Sequence, residues 1–162
     1  MKDLDIVIYG ATGFTGRLCV DYLNSLKKDL KWAIAGRNEA KLNIVNAETG
    51  ANVEVLVADS DDMAALEAIT ARAKVVLSTA GPFHRYGSNL VAACVKNATH
   101  YVDITGENFW VKGLIEKHHA EAAAKGVRII PSCGFDSIPS DLGSYFSVTQ
   151  IDAPIKCIES FH

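Results

Sequence analysis

The sequence has no long hydrophobic run, since none of its apolar stretches approaches the roughly 18 residues that are needed to span a membrane. Its first ten residues, MKDLDIVIYG, carry two acids before the apolar segment and lack a small-residue cleavage site, unlike a secretory leader. We therefore predict no membrane-spanning segment and a cytoplasmic location.

Cysteine is also scarce. The sequence contains four cysteines, and no two of them form the CxxC pair that is typical of zinc knuckles. A disulfide framework is disfavoured by the same scattered spacing, so we predict no metal site and a reducing compartment. Four free thiols buried among apolar or small residues are expected, namely Cys19, Cys94, Cys133 and Cys157.

There is no excess of positive charge. Lysine and arginine number 16 against 19 aspartates and glutamates, which gives a formal net charge of -3. No global field therefore attracts nucleic acid or an anionic membrane, and we predict that neither is a partner. Any anion that the protein binds must be held by local groups.

What the sequence does have is a regular alternation of two kinds of segment. Short apolar runs predict strands buried on both faces of a parallel sheet, at 4–9, 32–35, 53–58, 74–78, 100–104 and 127–130. Segments with apolar residues three and four apart predict helices at 14–27, 39–48, 61–72, 86–97 and 108–125. The alternation predicts a doubly wound α/β sheet in the order 3-2-1-4-5-6, with helices on both faces and one domain over 1–150.

Three residues mark predicted helix ends. Asn38 and Ser60 precede helical segments that have acids in their first turns, so both are predicted as N-caps. Gly126 follows the longest helical segment and is predicted to end it in the left-handed conformation.

Three glycines spaced three apart follow the first strand and open the first helix. In that context Gly10 permits a tight turn, Gly13 lets backbone approach a pyrophosphate, and Gly16 allows the helix to pack closely on the sheet. A turn without a ligand is the alternative, but the βαβ context favours a dinucleotide held at the helix N-terminus. The predicted loop residues are Gly10, Thr12, Gly13, Phe14, Thr15 and Gly16.

The end of the second strand indicates which dinucleotide is bound. An NAD site normally has an acid there, but this sequence reads AIAGRN, with Arg37 and no carboxylate. A guanidinium forms charge-assisted bonds with a 2′-phosphate, so we predict NADP(H) as the cofactor. A solvated arginine ahead of a helix is the alternative, and Arg17 is a second cation that could assist.

The next two strand ends supply further candidates. Asp59 and Ser60 follow the third strand, where they could reach the adenine or serve only as turn and cap. Ala80, Gly81 and Pro82 follow the fourth strand, where small residues let the chain pass close to the ribose and nicotinamide. A glycine-proline turn that needs no ligand is the alternative there.

No residue is singled out as catalytic. His84 and Tyr86 flank the turn on the nicotinamide side, whereas the adjacent His118 and His119 point about 100° apart on a helix and are predicted to lie on the surface. Irregular turns after the fifth and sixth strands are expected to face a small-molecule substrate. They add two acid/base candidates, Cys133 and Asp136.

Five segments taken together resemble a known family. YGATGFTGRL, WAIAGRN, AGPFHRYG, THYVDITGE and PSCGFDSIPSD are similar to the N-terminal NADP-binding domain of the saccharopine dehydrogenase-like oxidoreductases, a group that includes trans-acting enoyl reductases. The resemblance implies a Rossmann-type domain, NADP(H) and hydride transfer to or from a small-molecule substrate. A redox sensor that binds NADP(H) without turnover, or an interaction module with a vestigial nucleotide fold, would carry similar segments.

The resemblance also implies a further region. Members of the family follow this domain with a larger α+β part that helps to form the substrate site and dimerises. We therefore expect residues 151–162, which end in IKCIESFH, to begin such a domain, and a homodimer to form through the region that is absent from this sequence.

Overall fold

One parallel sheet organises the molecule. The structure is a computed structural model that describes residues 2–26 and 28–159, and within those residues six strands lie in the order β3-β2-β1-β4-β5-β6. This is the predicted order. The strands are β1 (Leu4–Tyr9), β2 (Trp32–Gly36), β3 (Glu54–Val57), β4 (Ala73–Ser78), β5 (His100–Asp103) and β6 (Ile129–Ile130).

Helices connect successive strands. The described residues form α1 (Phe14–Ser25), α2 (Glu39–Thr49), α3 (Met63–Arg72), α4 (Phe83–Tyr86), α5 (Ser88–Lys96), α6 (Asn108–Ala124) and α7 (Ile138–Thr149). None of them has the length and apolar character needed to cross a bilayer. The predicted end of the first helix at residue 27 lies outside the described residues.

Alternate residues of the central strand pack into two separate cores. In β1, Val7 belongs to a cluster with α3, α5 and α6, whereas Ile8 belongs to a cluster with α1 and α2. This division follows from the period of two in a strand, where neighbouring side chains point to opposite faces. The predicted doubly wound arrangement, with helices on both faces of the sheet, is confirmed.

The strand order reverses beside β1. Ile8 lies in register with Ile34 of β2 on one side and with Leu77 of β4 on the other, and both pairings are parallel. The chain winds outward from β1 in both directions, so a crevice opens at the carboxyl ends of these strands.

One predicted helix begins later than expected. The sequence pattern predicts a helix at 86–97, whereas α5 begins at Ser88 and Tyr86 is the last residue of the separate short α4, with Gly87 between them. A side chain at Gly87 would come within 2.7 Å of the Trp110 ring. Packing against a distant helix therefore requires a glycine here, while the Gly87 backbone itself stays in the right-handed helical region. The strand predicted at 127–130 is also shorter, since only Ile129 and Ile130 pair with β5.

Two of the predicted helix ends are confirmed and one is wrong. Asn38 caps α2 by accepting a hydrogen bond from the Lys41 backbone N–H at 3.0 Å, and Gly126 has φ +65° after α6. Ser60 does not cap α3, because Asp62 does so, accepting from the Ala65 N–H at 3.0 Å.

Two other predictions are wrong. Among the cysteines only Cys94 is buried; Cys19 is partly exposed, whereas Cys133 and Cys157 lie in irregular chain on the surface. His118, predicted on the surface, is buried at 8% exposure on α6, where it lines a groove together with Ile129 and Ile130 of β6.

The last described residues lie outside the sheet. In α7 no residue is buried, and residues 151–159 form no helix or strand. Residues 151–162 were expected to begin a further domain, and of these residues 160–162 lie outside the described part of the chain.

Candidate functional site

A cavity of about 280 Å³ lies at the carboxyl ends of β1, β2 and β4. This is where the strand order reverses, and where ligands of open α/β sheets bind. The cavity is lined by Tyr9, Gly10, Thr12, Gly13, Gly36, Arg37, Ser60, Thr79, Ala80, Gly81 and Tyr86.

Two glycines of the turn after β1 are required by the fold itself. Gly10 has φ +85°, and a Cβ there would lie 2.9 Å from the Ala80 backbone nitrogen. A Cβ on Gly16 would overlap the Gly10 carbonyl oxygen and come within 2.8 Å of Thr79 Oγ1. Their absent side chains therefore let α1 and β4 approach the turn closely.

Gly13 differs from the other two glycines. It is the N-cap of α1 with φ -77°, and a Cβ there would meet only the Gly10 carbonyl oxygen, at 3.4 Å. The protein itself therefore has room for a side chain at this point on the cavity wall. The gap and the unpaired N–H groups of the first helical turn suit an anion such as a pyrophosphate.

Arg37 supplies positive charge to the same cavity. It directly follows β2, lines the cavity and is exposed, and no carboxylate of the described residues forms an ion pair with it. Arg17 is engaged elsewhere, because its guanidinium lies 2.6 Å from the Glu48 carboxylate, and it does not line the cavity. Arg37 is thus available to an anionic ligand.

Tyr9 forms an uncharged part of the wall. Its hydroxyl donates a hydrogen bond to the Ala58 carbonyl oxygen at 3.3 Å. Burial, and then the nearby Asp59 carboxylate, raise the pKa of Tyr9 to about 12, while Arg37 acts in the opposite direction. Tyr9 therefore stays protonated and adds no negative charge beside the cavity.

The structure brings together seven of the twelve residues predicted to bind the cofactor. These line the cavity: Gly10, Thr12, Gly13, Arg37, Ser60, Ala80 and Gly81. The other five do not line it. Gly16 is buried, Phe14 is 85% exposed, and Asp59 accepts a hydrogen bond from the Asp61 N–H at 3.0 Å in a surface turn. Of the remaining two, Pro82 directly follows the lining residue Gly81, and Thr15 lies in the first turn of α1, two residues after the lining residue Gly13.

Besides Tyr86, which was predicted only as an acid/base candidate, sequence reasoning about the cofactor site missed three lining residues, Tyr9, Gly36 and Thr79. Each lies at or just after the carboxyl end of a strand, which is the signal that could have found them. Thr79 Oγ1 donates a hydrogen bond to the Gly10 carbonyl oxygen at 3.1 Å, so it also fixes the glycine turn.

A second group of polar residues surrounds the turns after β4 and β5. The Glu107 carboxylate accepts hydrogen bonds from the Phe83 and His84 backbone N–H groups, both at 2.8 Å, and lies 2.7 Å from His84 Nδ1. Burial acts to raise the pKa of Glu107, but the hydrogen bonds from His84 and Phe83 outweigh it and lower that pKa below its ordinary value. Glu107 is therefore an anion that holds the His84 ring.

Asp103 connects the turns after β5 and β6 from below. It is 1% exposed, and its carboxylate accepts hydrogen bonds from the Tyr101 hydroxyl at 2.9 Å and from the Thr105 and Ser132 N–H groups at 3.0 Å. Burial raises the pKa of Asp103, and these hydrogen bonds oppose that shift. All of its hydrogen bonds go to neighbouring chain, so Asp103 stabilises the loops.

The remaining acid/base candidates are not brought to the cavity. His118 and His119 line a different groove, between α6 and β6. Cys133 and Asp136 are exposed in the turn after β6. Partial desolvation, and then the nearby Asp103 carboxylate, raise the pKa of the Cys133 thiol. Of the six candidates only Tyr86 lines the cavity itself, and His84 lies two residues from it.

Fold and site together define a class. A parallel sheet in this order, a glycine turn that opens the first helix, and a cleft at the switch point are the features of a Rossmann-type dinucleotide-binding domain. The chain belongs to the family described as the saccharopine dehydrogenase NADP binding domain, whose model matches residues 6–130. Its cofactor is NADP(H), and the gap at Gly13 and the unpaired Arg37 fit that group.

Curated relatives agree with this assignment. The chain is 47% identical over 147 residues to a trans-acting enoyl reductase of Mycobacterium leprae, and 46% identical to one of Mycobacterium tuberculosis. Each alignment covers 89% of this chain and 35% of the relative. The chain thus spans about a third of the length of these relatives, which are oxidoreductases.

Solved structures share the fold. The apo saccharopine dehydrogenase (L-Glu forming) of Saccharomyces cerevisiae matches with a TM-score of 0.75 at 18% identity. The match covers 91% of this chain and 31% of the yeast protein. The two proteins therefore have the same architecture in this region.

Proposed function

We propose that this chain is the NADP(H)-binding part of an oxidoreductase that transfers hydride between the nicotinamide and a small-molecule substrate. The observation that carries the proposal is that one cavity brings together the glycine turn and Arg37. The cofactor supplies the hydride, and the protein binds and orients it.

In this proposal the two ends of the cofactor are held by different elements. The first-turn N–H groups of α1 bind the pyrophosphate beside Gly13, and the Arg37 guanidinium binds the 2′-phosphate. Ser60 lies on the adenosine side, and the chain at 80–82 lies against the ribose and nicotinamide. Thr12 adds a hydroxyl donor beside the phosphates.

The relatives favour an unsaturated acyl group as the substrate class. The two curated relatives are enoyl reductases by name, and the identity to them is close to half of the aligned residues. We propose that residues 1–150 form the nucleotide-binding domain, and that residues 151–162 lead into a region that completes the substrate site and dimerises.

The cofactor assignment is tested by titrating the purified chain with NADPH and with NADH. We expect NADPH to bind more tightly, and Arg37→Ala to weaken NADPH binding about 10- to 100-fold, since a hydrogen bond to a charged group contributes roughly 1.5–3 kcal/mol. NADH affinity should not change, because NADH lacks the 2′-phosphate.

Arg17→Ala is the matched control, since this arginine is paired with Glu48 away from the cavity. It should leave the affinity for both nucleotides unchanged. Equal binding of NADPH and NADH by the unaltered chain would contradict the proposal, and so would an unchanged preference in Arg37→Ala.

Turnover is tested in the full-length protein with NADPH and a panel of enoyl thioesters, imines and carbonyl compounds, by following nicotinamide absorbance. Oxidation of NADPH by one class of compound identifies the substrate. Binding without oxidation across the whole panel would instead favour a redox sensor.

A further inference from the structure

We propose that His84, oriented by Glu107, is the catalytic residue that donates the proton accompanying hydride transfer. The inference rests on the proposed function, because a proton donor is needed only if hydride is transferred. It identifies a residue that sequence reasoning leaves undecided among six acid/base candidates.

The first argument is that His84 lies in the chain between two residues of the cavity wall. Gly81 and Tyr86 both line the cavity, and His84 lies between them on the single helical turn of α4. The chain at 80–82 is the part proposed to lie against the nicotinamide. His84 thus belongs to the short segment that borders the cavity at the end where hydride transfer is proposed.

The second argument is that the ring is held in one orientation. Glu107 lies 2.7 Å from His84 Nδ1 and also accepts the backbone N–H groups of Phe83 and His84. The Phe109 ring packs beside the imidazole, with ring centroids 5.6 Å apart. Ring and backbone are therefore fixed by the same carboxylate, which is how a second group orients a catalytic histidine.

The third argument concerns the other ring nitrogen. Nε2 has no hydrogen-bond partner among residues 2–26 and 28–159, and 45% of the His84 side chain is exposed. Nδ1 is engaged by the Glu107 carboxylate, so in the protonated ring the Nε2–H is the donor that remains for a ligand. Tyr86 has no such activating partner among the described residues.

Glu107 is itself positioned by the neighbouring turn. The Glu107 N–H donates to Thr105 Oγ1 at 3.0 Å, and the Thr105 N–H donates to the buried Asp103 carboxylate at 3.0 Å. Glu107 is therefore connected to the end of β5 through Thr105 and Asp103.

The step balances for an enoyl substrate. Hydride from NADPH forms a C–H bond at one alkene carbon, the π bond breaks, and the electron pair at the other carbon takes the Nε2 proton of the His84 imidazolium. NADPH is oxidised to NADP⁺, the alkene is reduced, and the neutral imidazole regains a proton from water.

The first test needs no turnover. Ring ¹⁵N resonances of the purified chain are recorded with and without NADP⁺. We expect NADP⁺ to shift the His84 ring signals and to leave those of His119, exposed on α6, unchanged. Glu107→Gln should move the His84 Nδ1 resonance while NADP⁺ affinity is retained, which is the signature of a positioning residue.

The outcomes separate the two proposals. Shifts of the Gly13 and Arg37 backbone signals without any shift at His84 would overturn the role of His84 and leave NADP(H) binding intact. No shift at Gly13, Arg37 or His84 would overturn the proposed function itself.

The second test uses the full-length protein and the substrate found in the panel. We expect His84→Gln to lower kcat about 100-fold or more with unchanged NADPH affinity, because proton transfer contributes roughly 10²- to 10⁴-fold. His119→Gln is the matched control and should keep kcat unchanged. Partial rescue of His84→Ala by added imidazole would support the role. Unaltered kcat in His84→Gln, or loss of turnover in Tyr86→Phe alone, would overturn it.

Discussion

The three glycines that follow β1 have different roles, as shown by the distances from an added Cβ at each position to the nearest atoms. Gly10 and Gly16 are surrounded by chain at less than van der Waals separation from an added Cβ, whereas Gly13 meets only one carbonyl oxygen, at 3.4 Å. Two glycines are therefore needed for folding, and the third is free to serve a ligand.

This difference predicts opposite effects of the same substitution. Gly16→Ala should destabilise the chain by about 1–3 kcal/mol or more through overpacking against the Gly10 carbonyl. Gly13→Ala should lower the free energy of unfolding by less than about 1 kcal/mol, because the only loss is that alanine caps a helix less well than glycine. The same substitution should lower NADPH affinity about tenfold or more, because the added methyl group lies where the phosphates are proposed to bind. Urea unfolding and NADPH titration of both variants measure this. Wild-type affinity in Gly13→Ala would show that no phosphate approaches that point.

At the residue scale, much of the candidate site followed from the sequence. The spacing of the glycines and the arginine after the second strand were sufficient to predict residues that now share a cavity wall. His118 could not be predicted as buried, because the sequence of two adjacent histidines on a helix does not indicate which of them is buried. Its burial depends on how α6 packs on the sheet, which one-dimensional spacing does not contain.

At the scale of elements, the start of α3 shows how one helix end is chosen among several good capping residues. Ser60, Asp61 and Asp62 are all of types that cap helices, but only Asp62 accepts a hydrogen bond from an N–H of the first turn. Ser60 instead faces the cavity, and its carbonyl oxygen accepts a hydrogen bond from Asn89 Nδ2 at 2.9 Å.

Removing the side chain of Asp62 and that of Ser60 should therefore have different effects on stability. Asp62→Ala is expected to lower the free energy of unfolding by about 1 kcal/mol, because it removes the bond to the Ala65 N–H. Ser60→Ala should change it by less than about 0.5 kcal/mol. Chemical denaturation of both variants gives the comparison, and a larger effect for Ser60→Ala would contradict the capping assignment.

Element types could be predicted well because strands buried on both faces and amphipathic helices leave strong local patterns. The need for a glycine at position 87 could not be predicted, since it comes from the ring of Trp110, more than 20 residues away. The predicted cap at Ser60 failed for a related reason: composition shows which residues can cap, but the backbone dihedrals decide which one does.

At the scale of the whole molecule, the two cores share a single sheet. Leu42 on one face and Leu66 on the other are both fully buried, and the strands between them are common to both clusters. Both clusters pack on the same strands, so loss of packing on one face of the sheet would also destabilise the packing on the other face. The two cores should therefore unfold together.

The two tryptophans provide the measurement, since Trp110 lies in one core and Trp32 packs against the other. We expect Trp32→Phe and Trp110→Phe each to show a single urea transition, with the fluorescence of the remaining tryptophan coinciding with far-UV circular dichroism. Within either variant, a fluorescence midpoint separated from the circular dichroism midpoint would show that the faces unfold independently.

The strand order was predictable at this scale because alternating strands and helices admit few right-handed, doubly wound arrangements. The cavity wall was predictable only in part. Tyr9 and Thr79 reach it because β1 and β4 pair side by side in a particular register, with Tyr9 opposite Ser78. That register is a property of the assembled sheet.

The close approach of Gly10 to Ala80 and Thr79 also affects the entropy of nucleotide binding. The turn after β1 is fixed by β4 and by α1 before any nucleotide arrives, so its backbone has few alternative conformations left to it. The conformational entropy of that loop is lost when the chain folds, and almost none of it must be given up again on binding.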